Sequence, residues 1–128
     1  MLIVTSGQTV EILYKGPTGK DGKLRPLPES EWVTFRARVL TASEYLVCMA
    51  DVSTNQEDRI AIGFFRAARL CLRGWQGIRT KDSAGNVTEV PFPEKGADAA
   101  DMLPGDVAVA IGAQIIARSQ LEEPDRKV

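Results

Sequence analysis

Residue types that do chemistry are scarce in this chain, and those present lack partners. The sequence has no histidine, so it has neither the side chain best suited to moving protons near neutral pH nor the commonest metal ligand. A serine or cysteine nucleophile would have no imidazole base, and no motif marks a lysine for that role. Gly16-Pro17-Thr18-Gly19-Lys20-Asp21 has the glycine and lysine content of a phosphate loop. It lacks the four-residue spacer between the glycines and the Ser/Thr after the lysine, so nothing is placed to hold magnesium. Asp98, Asp101 and Asp106 could share a metal by spacing, but they sit where helix starts favour acidic residues. Asp82-Ser83-Ala84-Gly85-Asn86 lacks the alternating carboxylates of a calcium loop and reads as a turn. Cys48 and Cys71 stand among apolar residues, and buried free thiols are the expectation. The residues therefore predict no catalytic group, no metal and no cofactor. The expected function is binding to other proteins.

Composition sets the frame for that expectation. A chain of 128 residues suits one domain with a real core. With 44% apolar and 26% charged residues, it has the balance of a folded chain rather than a disordered one. Sixteen basic against 17 acidic residues leave a net charge of −1, which gives no reason to expect nucleic acid or a membrane surface as partner. The opening Met1-Leu2-Ile3-Val4 lacks the basic lead of a signal peptide. The longest apolar run, Val107 to Ala113, is far short of the ~20 residues that span a bilayer. A reducing cytosol is the expected setting.

The elements that would position these residues are legible in outline. Val10, Ile12 and Tyr14 alternate with Thr9, Glu11 and Leu13, predicting a strand over 8–15. The glycines and prolines of 16–30 predict a long flexible loop. Alternation returns with Val33, Phe35, Ala37 and Val39 on one face and Trp32, Thr34, Arg36 and Arg38 on the other, predicting a strand over 31–39. Thr41-Ala42-Ser43-Glu44 is a capping-box pattern. It opens a helix to about Asp51 that should bury Tyr45, Leu46 and Met49. Thr54-Asn55-Gln56-Glu57 repeats the pattern before a longer helix over about 56–73, closed by Gly74. Residues 74–93 read as a turn-rich connection, with Pro91 and Pro93 stopping regular structure and Trp75 and Phe92 over the end of the core. A last helix should start near Leu103-Pro104-Gly105-Asp106 and run to 121, before a charged, frayed tail over 122–128. The expected fold is α+β, one domain over 1–128. Its N-terminal antiparallel β-hairpin (8–39) packs on a bundle of three to four α-helices (41–121).

Two helices carry the candidate contact residues. In the longer one, Ile60, Phe64, Ala67, Cys71, Ala61, Phe65, Ala68 and Leu72 cover an arc of about 160°, which predicts a central helix with at least two neighbours. Arg59, Arg66, Arg69 and Arg73 share the opposite side, with Ile62 among them. That side is either a solvated face or a basic stripe, centred on Ile62, that docks on an acidic partner. In the last helix Val107, Ile111 and Ile115 lie on one face, and Val109 and Ile116 nearly opposite. Such a helix is either fully buried or buried against a partner or a second copy of the chain. The candidate partner-binding residues are thus Arg59, Ile62, Arg66, Arg69, Arg73, Val109 and Ile116.

One constellation goes beyond patterning. A strand with Phe35-Arg36 and Leu40-Thr41 leads to two helices. The second runs into Arg73-Gly74-Trp75-Gln76-Gly77-Ile78, then an Asp82…Gly85 turn, Val90-Pro91-Phe92, and a final apolar helix ending Ser119-Gln120-Leu121-Glu122-Glu123. This resembles the tail assembly chaperones, and closely related small tail-module proteins, of long-tailed bacteriophages, with their W-x-G-I … D-x-x-G … P-F core and S-x-L-x-E ending. The resemblance covers roughly residues 8–125. Pro93-Glu94-Lys95-Gly96-Ala97-Asp98 departs from the family's usual helix start. The resemblance implies a non-enzymatic protein of the host bacterial cytoplasm that binds the tape-measure protein, helps recruit tail-tube subunits, then leaves. The alternative is a permanent virion component, such as a head–tail joining, tail or decoration protein.

Overall fold

The computed structural model describes residues 9–19 and 21–120. Met1–Val4, the expected strand residue Gln8, Lys20, the helix end at Leu121 and the tail 122–128 lie outside the described residues. Strands β1 (Thr9–Tyr14) and β2 (Val33–Arg38) pair antiparallel, from Thr9 opposite Arg38 to Tyr14 opposite Val33. Ile12, Phe35 and Ala37 point into the core, while Glu11 and Arg36 stay in water, as alternation predicts.

The segment between these strands is more ordered than the expected loop. Leu27 N–H donates to the Lys15 carbonyl (2.7 Å), Arg25 N–H to Pro17 (2.9 Å) and Gly19 N–H to Lys23 (2.9 Å). Thr18 bridges Leu24, so the ladder continues outward as a narrow hairpin that satisfies its own backbone groups. Gly16 takes a φ of +146°, where a Cβ would run into the Arg25 carbonyl. At the base, the Trp32 indole donates to Leu27 (2.9 Å) and carries the Lys15 ammonium 5.1 Å from its ring centre.

Helix α1 (Ala42–Val52) opens on the expected capping box. The Thr41 hydroxyl accepts from Glu44 N–H (3.3 Å), and Glu44 Oε1 accepts from Thr41 N–H (2.9 Å). The second expected box does not form. The cap of α2 (Glu57–Cys71) is Gln56, and the Thr54 hydroxyl turns back to donate to the Asp51 carbonyl (2.9 Å), closing the end of α1 instead.

The end of α2 is also a correction. The helix stops at Cys71, not Gly74, and the chain passes directly into strand β3 (Leu72–Gln76) on the open edge of β2. The reason is tertiary: a two-stranded hairpin is marginal, and a third strand completes the sheet. Gly74 lies opposite Arg36, with that side chain crossing it, and serves as a strand residue rather than a helix stop. Two short strands, β4 (Arg79–Lys81) and β5 (Val87–Glu89), make a separate exposed hairpin. Asp82 closes its turn, accepting from Ala84 N–H (2.9 Å) and Asn86 N–H (2.8 Å), with Gly85 at a φ of +89°. Helix α3 (Gly96–Met102) and helix α4 (Gly105–Arg118) are the last elements among the described residues. The fold is α+β, with an N-terminal antiparallel hairpin and, among the described residues, four α-helices, within the three to four that the patterning predicts.

Helix α2 is central because both its flanks are approached at glycine. A Cβ on Gly63 would lie 2.7 Å from Val52 Cγ2 and 2.8 Å from the Cys48 carbonyl, so α1 rests against α2 there. A Cβ on Gly112 of α4 would overlap the Phe64 carbonyl. Around these contacts Phe35, Leu72, Ile111, Ile115, Cys48 and Cys71 are completely buried. Gly112→Ala should therefore destabilise the chain by about 3 kcal/mol, because backbone rather than a flexible side chain must give way. Gly105→Ala meets nothing within 4 Å and should be neutral or stabilising by up to about 1 kcal/mol. Urea denaturation of the two variants checks the contrast.

Candidate protein-docking surface

The sheet, α1 and α4 meet at one corner. Arg38 of β2 makes a two-pronged ion pair with Glu44, 2.7 Å at each oxygen. The Ser119 hydroxyl, just beyond α4, accepts from Leu40 N–H (2.9 Å) and donates to the Ile115 carbonyl (2.7 Å). The Gln120 amide donates to the Tyr45 hydroxyl (2.9 Å). These bonds fix α1 against the sheet and thereby set which residues α1 shows to water.

The residues it shows are not those the patterning predicts. Tyr45 and Met49 are partly buried and Cys48 fully, but Leu46 is 68% exposed and Val47 51%. Helix α1 is apolar on nearly every side, so its outer side was always going to carry apolar groups. The signal was the unbroken run Tyr45-Leu46-Val47-Cys48-Met49, which exceeds what one buried face needs.

On α2, Arg59, Ile62, Arg66 and Arg69 share one side by helical spacing. Arg59 and Arg69 are exposed, and Ile62 is 50% exposed. Arg66 is engaged within the fold: its guanidinium holds Asp51 of α1 at 2.8 Å. Arg73 leaves the expected stripe because α2 ends before it. From β3 its guanidinium turns back to donate to the Leu70 (3.2 Å) and Leu72 (2.9 Å) carbonyls, capping the end of α2. Among the described residues, Arg59, Arg69 and Arg73 have no acidic partner within 4 Å.

Between these helices runs a groove of about 550 Å³. Ser43, Glu44 and Val47 of α1 form one wall, Arg66, Arg69 and Leu70 of α2 the other, and Ala97 of α3 closes one end. A second hollow of about 590 Å³ is framed by Tyr14, Val33, Trp75, Ile78, Met102 and Val107. Glu31 and Arg79 give its walls both signs, so it sets no charge preference.

Of the two residues that patterning placed on a second apolar face of the last helix, the fold buries Ile116 within the chain. Ile116 is 5% exposed and belongs to the core with Ala108, Ile111 and Ile115, while Val109 is partly buried. The close approach at Gly112 presses α4 onto α2, so burial within the chain accounts for Ile116.

Both thiols are fully buried. Burial pushes Cys71 up to about 11 and raises Cys48 as well, and both are free. Among the described residues no group of three or more His, Cys, Asp or Glu side chains could hold a metal ion. Asp98 and Asp106 instead occupy first turns of α3 and α4. Among the described residues no helix is long and apolar enough to cross a membrane.

The residues carrying the phage resemblance sit at joints. Trp75 stands edge-on to Phe35 (6.4 Å) and Phe92 (4.9 Å), with its indole donating to Val90 (2.8 Å). Asp82 and Gly85 close a turn, and Ser119 ties α4 to the sheet. Compared with known proteins, the chain matches no family model, no curated protein and no solved structure.

The corner generates a pH dependence. The Arg38 guanidinium, aided by Thr41, holds the Glu44 carboxyl at about 2, below its ordinary 4.5. Because the folded value is the lower one, this stabilisation is complete above about 4.5. It is lost as pH falls through the window from 4.5 to about 2. Glu44→Gln should cost about 2 kcal/mol at neutral pH and flatten the stability profile in that acid window. Urea midpoints measured from pH 7 to 2 test both.

Proposed function

We propose that this chain is a non-enzymatic assembly protein of long-tailed phages, working in the host cytoplasm. In the manner of the tail assembly chaperones it resembles, it holds the tape-measure protein and admits tail-tube subunits afterwards. The observation that carries this reading is the surface of α1 and α2. Leu46 and Val47 of α1 and Ile62 of α2 are exposed, as are Arg59 and Arg69 of α2, and Val47 and Arg69 line one groove. Large exposed apolar side chains on helices that also present cations suit docking of another protein. A chaperone for a helical, aggregation-prone partner needs such a surface.

Affinity capture of the tagged chain from infected cells, paired with mass spectrometry of purified particles, tests this. Capture of the tape-measure protein with absence of the chain from particles is the expected result. Stoichiometric presence in particles would replace it with the permanent virion component. Capture of no tail protein would remove the phage reading.

A further inference from the structure

We infer that the groove between α1 and α2 is built for one acid-flanked amphipathic helix. In the docked complex an apolar side chain sits between Val47 and Leu70, and carboxylates meet Arg69 and Arg73. The inference deepens the function proposed above and rests on it for the identity of the partner, but not for the chemistry of the groove.

Three observations carry it. First, the walls carry apolar side chains: Val47, Leu70 and Ala97 are among the lining residues, and the groove's volume of about 550 Å³ falls in the ~300–1,000 Å³ range of clefts that hold ligands. Secondly, the charge balance at its rim is one-sided. Its one lining carboxylate, Glu44, is held by Arg38, and Arg66 is held by Asp51. What remains is Arg69 in the wall and Arg73, whose guanidinium lies on the Leu70 carbonyl and beside Gly96, next to Ala97. Neither has an acidic partner among the described residues. Thirdly, the walls are themselves two helices, and a third helix packs its ridge of side chains into such a groove.

The occupant is thus a partner segment with apolar anchors at i, i+4 and i+7 and Asp or Glu beside them. Opposite charge at the rim sets its orientation and speeds its encounter, and the buried apolar anchor slows its release.

The test uses the full chain and two labelled peptides of about 18 residues, long enough to hold helix when bound. Both carry the same Leu stripe. One is flanked by Glu, the other by Lys. Fluorescence polarisation should show the Glu-flanked peptide binding at least about tenfold tighter, since like-charge contact at a docked rim is costly. That advantage should shrink at high salt. Arg69→Glu and Val47→Asp should each weaken it by about tenfold, with thermal melts showing both variants folded. Arg79→Glu, on the β4–β5 hairpin, should leave it unchanged. Equal binding of the two peptides, or full binding by folded Arg69→Glu and Val47→Asp, overturns the inference. So does a concentration-dependent dimer of the wild-type chain that Val47→Asp abolishes, since the occupant would then be a second copy.

Failure here is distinguishable from failure of the wider reading. If both variants still capture tape-measure protein from infected cells, the groove is wrong and the assembly role stands. If the Glu-flanked peptide binds as expected but no tail protein is captured, the groove stands and the phage role falls.

Discussion

The closeness with which α1 and α4 approach α2 governs the rest of this structure. Gly63 admits the end of α1, and Gly112 of α4 lies on the Phe64 backbone. Backbones this near leave no room for a side chain, so the contact is dispersion between close-packed atoms with no slack for repacking. Two flanks of α2 are thereby occupied, and Ala67, Ala68 and Cys71 are buried with them. What α2 has left for water is the side carrying Arg59, Ile62 and Arg69. The proposed docking surface is the remainder of the packing, and its residues were not free to lie elsewhere.

The second constraint is the corner where β2 becomes α1. Glu44 serves two partners at once, taking Arg38 with both oxygens and the Thr41 amide with one. An ion pair only partly open to water, and reinforced by a helix cap, is stronger than an exposed surface pair. It fixes α1 rotationally. Cys48 then faces the core, and Leu46 and Val47 face out. Ser119 adds the end of α4 to the same corner, so the two helix contacts on α2 and the end of the sheet's central strand β2 are mechanically linked.

Much of this could be read from residue order, and the failures share a cause. Strong local patterns held: the alternation of β1 and β2, the Thr41–Glu44 box, the breadth of the apolar arc on α2, the turn at Asp82. Local pattern failed where a tertiary vacancy decided the outcome. Leu72-Arg73-Gly74 continues a helical pattern acceptably, yet the open edge of β2 draws it into a strand. That removes Arg73 from the stripe and returns it from the other side as a cap. Ile116 looked like a second face because no sequence rule says how near α4 comes to α2, which Gly112 alone decides. Leu46 was assigned to the core because an apolar helix does not announce which side a neighbour will take. The 16–30 segment has loop composition, but Gly16 and the pairing of Pro17 with Arg25 give its backbone a ladder. As to the site, Arg59, Ile62 and Arg69 were legible as a surface, whereas Leu46, Val47 and the groove wall from α3 needed the fold.

Helix α4 commits one face, Ala108, Ile111, Gly112, Ile115 and Ile116, to the interior, and the docking role proposed for α1 and α2 depends on that face staying packed in the free chain. Amide hydrogen exchange of the isolated chain measures this directly, because each amide reports the cheapest opening that exposes it. The account predicts that amides from Ala108 to Ile116 exchange only with global unfolding, at the same free energy as the core of α2. Exchange of α4 through a much cheaper opening, while α2 stays protected, would contradict it. The helix would then be held loosely in the free chain, with a face available to a partner.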